Sequence, residues 1–246
     1  MPVRTKVYFL ADVHLGLKAA DPGERERRLI SFLESLPEDT LSLYLLGDIW
    51  DFWYEYRDVV PREGAKVVAA LVALMNRGVE VWFIPGNHDI WTFSYFESLG
   101  IHRCEQPLET RIGGKRFCLG HGDRLGGGRK AYGLMLKVFH SKLAQAMFST
   151  LHPWLAYRMA LAWSGSNRAH HKPYHFKGES EPLYKFALER DADFFIFGHY
   201  HDGMDAVLAT GARFVILQDW IRGGTPHACF DTVSGELSVV SSQASS

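Results

Sequence analysis

Five short motifs in this 246-residue chain gather residue types that bind metal ions. They are Asp12-Val13-His14, Gly47-Asp48, Gly86-Asn87-His88-Asp89, Gly120-His121-Gly122-Asp123 and Gly198-His199-Tyr200-His201. Carboxylate and amide oxygens mixed with imidazole suit manganese, iron or zinc better than calcium, which takes oxygen ligands. Seven potential ligands are more than one ion requires, and a two-metal centre needs a carboxylate shared between its ions. Asp48 is the natural bridge. Asp12, His14 and His201 could complete one position, and Asn87, His121 and His199 the other. Each motif alone could be an ordinary turn, but the set of five is not explained that way. Two divalent ions held like this would hydrolyse a phosphate ester or anhydride.

The elements that must position these residues can be read from the apolar pattern. Each motif follows a short apolar run, at residues 7–11, 41–46, 81–84, 116–119 and 194–197. Helical spacing of apolar residues over 25–36 and 66–75 predicts helices between the first three runs, and hence βαβ units. In an open α/β sheet, ligands gather at the strand ends, where the motifs fall. Gly47, Gly86, Gly120 and Gly198 precede the ligands, where the backbone must turn sharply or approach another chain segment closely. The back half reads as closely spaced strands at 206–208, 214–217, 228–230 and 237–240 with glycine turns.

Composition narrows the class. The chain is 47% hydrophobic and 22% charged with a net charge of −1, as expected of a globular protein able to bury a large core. Cys104, Cys118 and Cys229 are odd in number and lack a CxxC pair, which argues against a disulfide framework or a thiolate zinc site. Met1 leads directly into a strand-like segment without a signal-peptide pattern, so secretion is not expected.

Residues 129–163 form a helix-rich stretch, expected to break near His152-Pro153. Nine basic residues and no acidic one lie between Asp123 and Glu179, whereas the rest of the chain has 18 basic and 28 acidic residues. Such a block predicts an anionic partner for that segment. Its longest uncharged run, 143–157, has 15 residues and contains Pro153, too short to span a membrane, which needs about 20 apolar residues. The stretch could be a plain helical cap, an acyl-chain cleft, or an interfacial surface with its cations toward lipid headgroups; the absence of acids favours the latter two. Ser164, Asn167, Arg168 and Lys172 are read as a polar loop returning to the core. Trp50, Trp53 and Trp91 flank the motifs and could wall a pocket or simply pack. His170, His171 and His175 read as surface or substrate-side residues.

The motif order, running from Asp12 to His201, resembles the calcineurin-like metallophosphoesterase family. The resemblance implies a four-layer α/β/β/α sandwich, one domain over 1–246 with a helical insertion at 129–175, and the seven ligands above with Asp48 bridging. Within it, the run Gly47-Asp48-Ile49-Trp50-Asp51-Phe52-Trp53, the Gly120–Asp123 turn and the helical insertion look most like the UDP-2,3-diacylglucosamine hydrolases of lipid A synthesis. That implies cleavage of a sugar-nucleotide lipid to UMP and 2,3-diacylglucosamine 1-phosphate, with two divalent ions, most readily Mn²⁺ with Fe or Zn as alternatives. It also implies a cytoplasmic enzyme at the cytoplasmic face of the inner membrane, with no nucleic acid and no obligate protein partner. Those hydrolases have Arg after the Asn of the third motif, where this chain has His88. A histidine there is common elsewhere in the family, and is expected to stabilise the transition state or act as general acid, with Asp89 orienting its ring. Asn87, His88, Ser164, Asn167, Arg168, Lys172 and His199 are the candidate substrate contacts. The alternative substrate is a soluble nucleotide or phosphodiester, and the alternative class is a metal-free interaction scaffold.

Overall fold

The computed structural model describes residues 3–18, 21–127, 133, 137–139, 141–170 and 175–242, with 163–170 described by backbone alone. Two sheets face each other. The first has the order β11-β10-β1-β2-β3-β4, where β1 (Lys6–Leu10), β2 (Thr40–Leu45), β3 (Glu80–Phe83) and β4 (His102–Arg103) run parallel, and β10 (His227–Asp231) and β11 (Leu237–Val240) add antiparallel strands. The second has the order β5-β6-β7-β9-β8. Its β6 (Lys115–Leu119), β7 (Phe194–Phe197) and β9 (Arg213–Gln218) are parallel, and β5 (Leu108–Ile112) and β8 (Asp202–Val207) are antiparallel edges.

Alternation along the strands divides the core into layers. In β1, Val7 and Phe9 face the second sheet while Leu10 faces the helices; in β9, Val215 and Leu217 face inward while Phe214 and Ile216 face outward. Phe9 stacks on Tyr44 and, across the inter-sheet gap, on Phe117. The outer face of the first sheet is covered by α1 (Pro22–Ser35) and α2 (Ala65–Asn76) through Leu29, Phe32, Leu33, Val67 and Leu71. Asp21 caps α1 by accepting from the Gly23 and Glu24 N–H groups, and Pro22 opens the helix where no N–H is needed. A helix absent from the sequence reading (Pro182–Leu188) covers the second sheet with Leu183, Tyr184 and Ala187. The result is the α/β/β/α sandwich.

A short helix, α3 (Tyr95–Ser98), follows the third motif. In the basic stretch, α4 (Lys142–Ser149) and α5 (Pro153–His170) are separated at Thr150–His152, with Pro153 as the first residue of the second helix. The helix from 182 to 188 is α6. Ser164, Asn167 and Arg168 thus lie on α5 rather than in a loop; their side chains, and Lys172 and His171 entirely, fall outside the described residues.

Candidate metal centre

All five motifs begin where a parallel strand ends, β1, β2 and β3 in one sheet and β6 and β7 in the other. The two sets of loops therefore meet over the carboxyl ends of both sheets. Backbone bonds fasten them together: Asp12 N–H donates to the Gly47 carbonyl, His14 N–H to Asp48, and Gly198 N–H to His121. Asp12, His14, Asp48, His199 and His201 all have positive φ, between 52° and 73°. Five non-glycine residues in the left-handed region cost about 1 kcal/mol or more each, and such strain concentrates at functional sites.

Each of two carboxylates commits one oxygen to a neighbouring loop and turns the other inward. Asp12 Oδ2 accepts from His199 N–H at 2.8 Å, leaving Oδ1 3.7 Å from His14 Nε2 and 3.6 Å from His201 Nε2. Asp48 Oδ1 accepts from His88 N–H at 2.9 Å, leaving Oδ2 3.3 Å from His121 Nε2 and 3.8 Å from His14 Nε2. Asp48 Oδ2 thus sits between a ring from each proposed metal position, the geometry a bridging oxygen needs. The glycines explain themselves here. A Cβ on Gly198 would lie 2.5 Å from Asp12 Oδ2, and one on Gly86 would collide with Asp48 Oδ1.

The rings are held from behind. His121 Nδ1 faces the Leu46 carbonyl oxygen at 3.0 Å, His14 Nδ1 lies 3.2 Å from Asp51 Oδ1, and His201 Nδ1 lies 3.2 Å from Asp219 Oδ2. Such partners direct the opposite nitrogen, Nε2, toward a metal. His199 packs its ring edge-on to His121, with centroids 5.1 Å apart. Among the described residues, Asp12 Oδ1 and Asn87 Oδ1 are buried without a hydrogen-bond partner, which is rare for polar oxygens unless something else ligates them.

Electrostatics agree. Burial alone would raise Asp48, but the rings of His121, His88 and His14 hold its carboxyl well below the usual carboxylate range. Burial likewise opposes charge on His121, yet the Asp48 carboxylate keeps that ring's proton affinity well above the ordinary value. His199 goes the other way, to about 4, through burial and the neighbouring charge of His121. Without a cation the cluster holds protons in its place. The residues therefore fit divalent ions in chemistry, geometry and charge.

The chain matches the model of the calcineurin-like phosphoesterases over residues 5–203. It belongs to the calcineurin-like phosphoesterase family. As a member it is a metal-dependent phosphoesterase. Among its relatives are the UDP-2,3-diacylglucosamine hydrolase of Porphyromonas gingivalis, 38% identical over 89% of this chain and 92% of that one, and the enzyme of the same name from Aeromonas hydrophila, 28% identical over 90% and 93%.

The structure corrects the role expected of Asp89 in this phosphoesterase. Asp89 does not orient the His88 ring. Its fully buried carboxylate instead accepts from the backbone N–H groups of Gly86, Asp48, Ile49 and Trp50 at 2.7, 3.2, 2.8 and 3.3 Å, tying the second and third motifs together. Burial and the Asp48 charge raise Asp89 to about 7. The His88 ring is held by Asp51, whose carbonyl oxygen lies 2.8 Å from Nδ1 and whose carboxylate lies 3.7 Å away. Trp50 and Trp53 do not wall a pocket; both are buried against Phe96 in the helix-side core. Trp91 alone of the three faces the insertion, donating from Nε1 to the Phe139 carbonyl at 2.8 Å and packing on Phe148. Phe52 meets Phe148 and Tyr157 edge-on, and Tyr54 donates its hydroxyl proton to the Gln145 carbonyl. The insertion thus stands on the loops that carry Asp48 and Asn87. His175 is an exposed partner of Asp202, beside β8.

Sequence reasoning passed over Asp51 and Asp219 as ring supports. Asp219 had a readable signal, since it follows the apolar run of β9 as Asp12 follows that of β1.

Proposed function

We propose that this phosphoesterase hydrolyses the diphosphate of UDP-2,3-diacylglucosamine, releasing UMP and 2,3-diacylglucosamine 1-phosphate. The observation that carries the reading is the 38% identity, spanning nearly all of both chains, with a relative that bears that enzyme's name. Asp12, His14 and His201 on one side, and Asn87, His121 and His199 on the other, would hold two ions with Asp48 shared between them, manganese being the ion this reading prefers. Bound there, the ions supply Lewis acidity to the phosphoryl oxygens and acidify a water molecule. His88 works from the rim. Its Nδ1 donates to the Asp51 carbonyl oxygen, so Nε2, 4.0 Å from Asp48 Oδ2, is the nitrogen facing the phosphate or the leaving group, and it has a proton to give only when the ring is doubly protonated.

The insertion supports an amphiphilic substrate. Leu143, Met147, Trp154 and Met159 are 53–72% exposed on α4 and α5, on the segment that carries Lys142 and Arg158 and no acidic residue. Among the described residues no helix is long and apolar enough to cross a membrane. Such a surface suits peripheral attachment to anionic lipid on the cytoplasmic face of the inner membrane, close to the lipid substrate. Ser164, Asn167, Arg168 and Lys172 are candidates for holding the sugar nucleotide.

The test is UMP release from micellar UDP-2,3-diacylglucosamine by Mn²⁺-loaded protein, with a soluble diester such as bis(p-nitrophenyl) phosphate beside it. The lipid should be turned over with far higher kcat/KM. Equal or better turnover of the soluble diester would overturn the substrate assignment while leaving the reaction class intact.

A further inference from the structure

Asp219 occupies a sixth strand end, after β9, and together with Trp220 it touches both ligand loops on one side of the centre. Its neighbour Trp220 donates its backbone N–H to the Asp12 carbonyl at 3.0 Å, and the Trp220 ring is fully buried against Phe32. The Asp219 carboxylate is nearly as enclosed, at 4% exposure. Oδ1 accepts from the backbone N–H groups of Ile221 and Arg222, at 2.8 and 3.1 Å, closing the turn. Oδ2 faces His201 Nδ1 at 3.2 Å. An ionised carboxylate only accepts hydrogen bonds, so Nδ1 must carry a proton, and Nε2, which faces Asp12 Oδ1 at 3.6 Å, is the nitrogen left to bind an ion. His201 has positive φ, as does His199 two residues before it.

We propose that Asp219 is a positioning residue that fixes His201 in the one tautomer able to ligate a metal. The proposal rests on the reading of His201 as a ligand. In Asp219→Asn the amide oxygen keeps the Ile221 and Arg222 N–H groups, so the turn survives. The amide NH₂ then faces Nδ1 and forces the ring proton onto Nε2, the atom that must bind the ion. Outer partners of metal-bound histidines are worth about ten- to hundredfold in affinity.

Calorimetric titration of metal-free protein with Mn²⁺ tests this without any turnover. Asp219→Asn should weaken one of two binding steps by about ten- to hundredfold, with the other step and the metal-free circular dichroism unchanged. Two unaltered steps would overturn the positioning role. His201→Ala separates the two readings: if it too binds both ions normally, His201 is not a ligand and the underlying assignment fails. Histidine ¹⁵N spectra of the unmutated protein loaded with Zn²⁺ provide a measurement independent of any variant. His201 should be protonated at Nδ1, and a proton at Nε2 would overturn the proposal.

Discussion

Gly198→Ala changes one hydrogen into a methyl group, yet it should disable the centre. Gly198 does not have positive φ, so alanine meets no backbone strain and the effect is one of space alone. The new Cβ would lie 2.5 Å from Asp12 Oδ2 and 2.7 Å from Ala11 Cβ, against an ordinary contact of 3.4 Å or more. The carboxylate must retreat by roughly 1 Å, a displacement that can cost about a hundredfold in rate. Retreat also breaks the hydrogen bond from His199 N–H, a charged buried bond worth roughly 1.5–3 kcal/mol. Asp12 Oδ1 moves with it, away from His14 and His201. The expected result is about a hundredfold loss of kcat/KM, a weakened Mn²⁺ step by calorimetry, and a metal-free protein destabilised by about 2 kcal/mol in urea. Gly133→Ala is the matched control, since its Cβ would meet none of the described residues within 4 Å. A Gly198→Ala protein with wild-type metal affinity would refute the crowding argument.

Metal binding should release protons. The His121 and His201 rings hold protons more tightly than an ordinary imidazole, and both must surrender them to ligate. Titration with Mn²⁺ at pH 7 in buffers of different ionisation enthalpy should show about one to two protons leaving per protein; an apparent enthalpy independent of buffer would refute this. The same raised affinities set the pH response of the metal-free fold. The stability they contribute is complete below the ordinary histidine value of 6.5 and is lost as pH rises through the raised one. Asp48, held low, adds the converse loss as pH falls below the ordinary carboxylate value of 3.8. Metal-free Tm should thus decline on the alkaline side, and a Tm flat up to pH 9 would contradict the assignment. Asp89→Ala strands four buried N–H groups and should cost about 3 kcal/mol or more in chemical denaturation; a loss under 1 kcal/mol would show that water satisfies them. His88→Ala should lower kcat by about 10²–10⁴-fold while both metals still bind, and an unchanged kcat would remove it from the chemistry.

What was legible in the sequence followed from short-range signals. The seven candidate ligands stood at the ends of apolar runs, in four of the five motifs just after a glycine, and α1 and α2 were visible in their 3.6-residue spacing. β4, with two residues, and β5, with the alternation Leu-Glu-Thr-Arg-Ile, have too little apolar sequence to stand out. β8 begins four residues before its expected start, because Asp202-Gly-Met-Asp is polar and pairs only through the ladder with β9. Asp89 was misassigned for a different reason. Adjacent residues in a tight turn point apart, so the Asp next to His88 faces the backbone of residues 48–50, while Asp51, distant in sequence, reaches the ring. Sequence adjacency is a poor guide to side-chain contact inside loops.

The centre depends on contacts between loops rather than within them. Asp12 takes the N–H of His199 from the other sheet, Asp48 takes the N–H of His88, and Asp89 takes the N–H groups of Asp48, Ile49 and Trp50. No βαβ unit alone contains either proposed metal position, since one combines Asp12 and His14 with His201 and the other combines Asp48 with His121. The site is therefore assembled only when the two sheets pack, and the inter-sheet layer of Phe9, Phe117, Ile196 and Val215 becomes part of its support. That arrangement also accounts for the backbone strain. Asp12, His14, Asp48, His199 and His201 hold left-handed conformations against a local cost because hydrogen bonds between the loops over-determine them. Rigid carboxylates facing one another would repel, and a cation between them removes that repulsion. The fold thus brings together charges suited to a divalent ion between them.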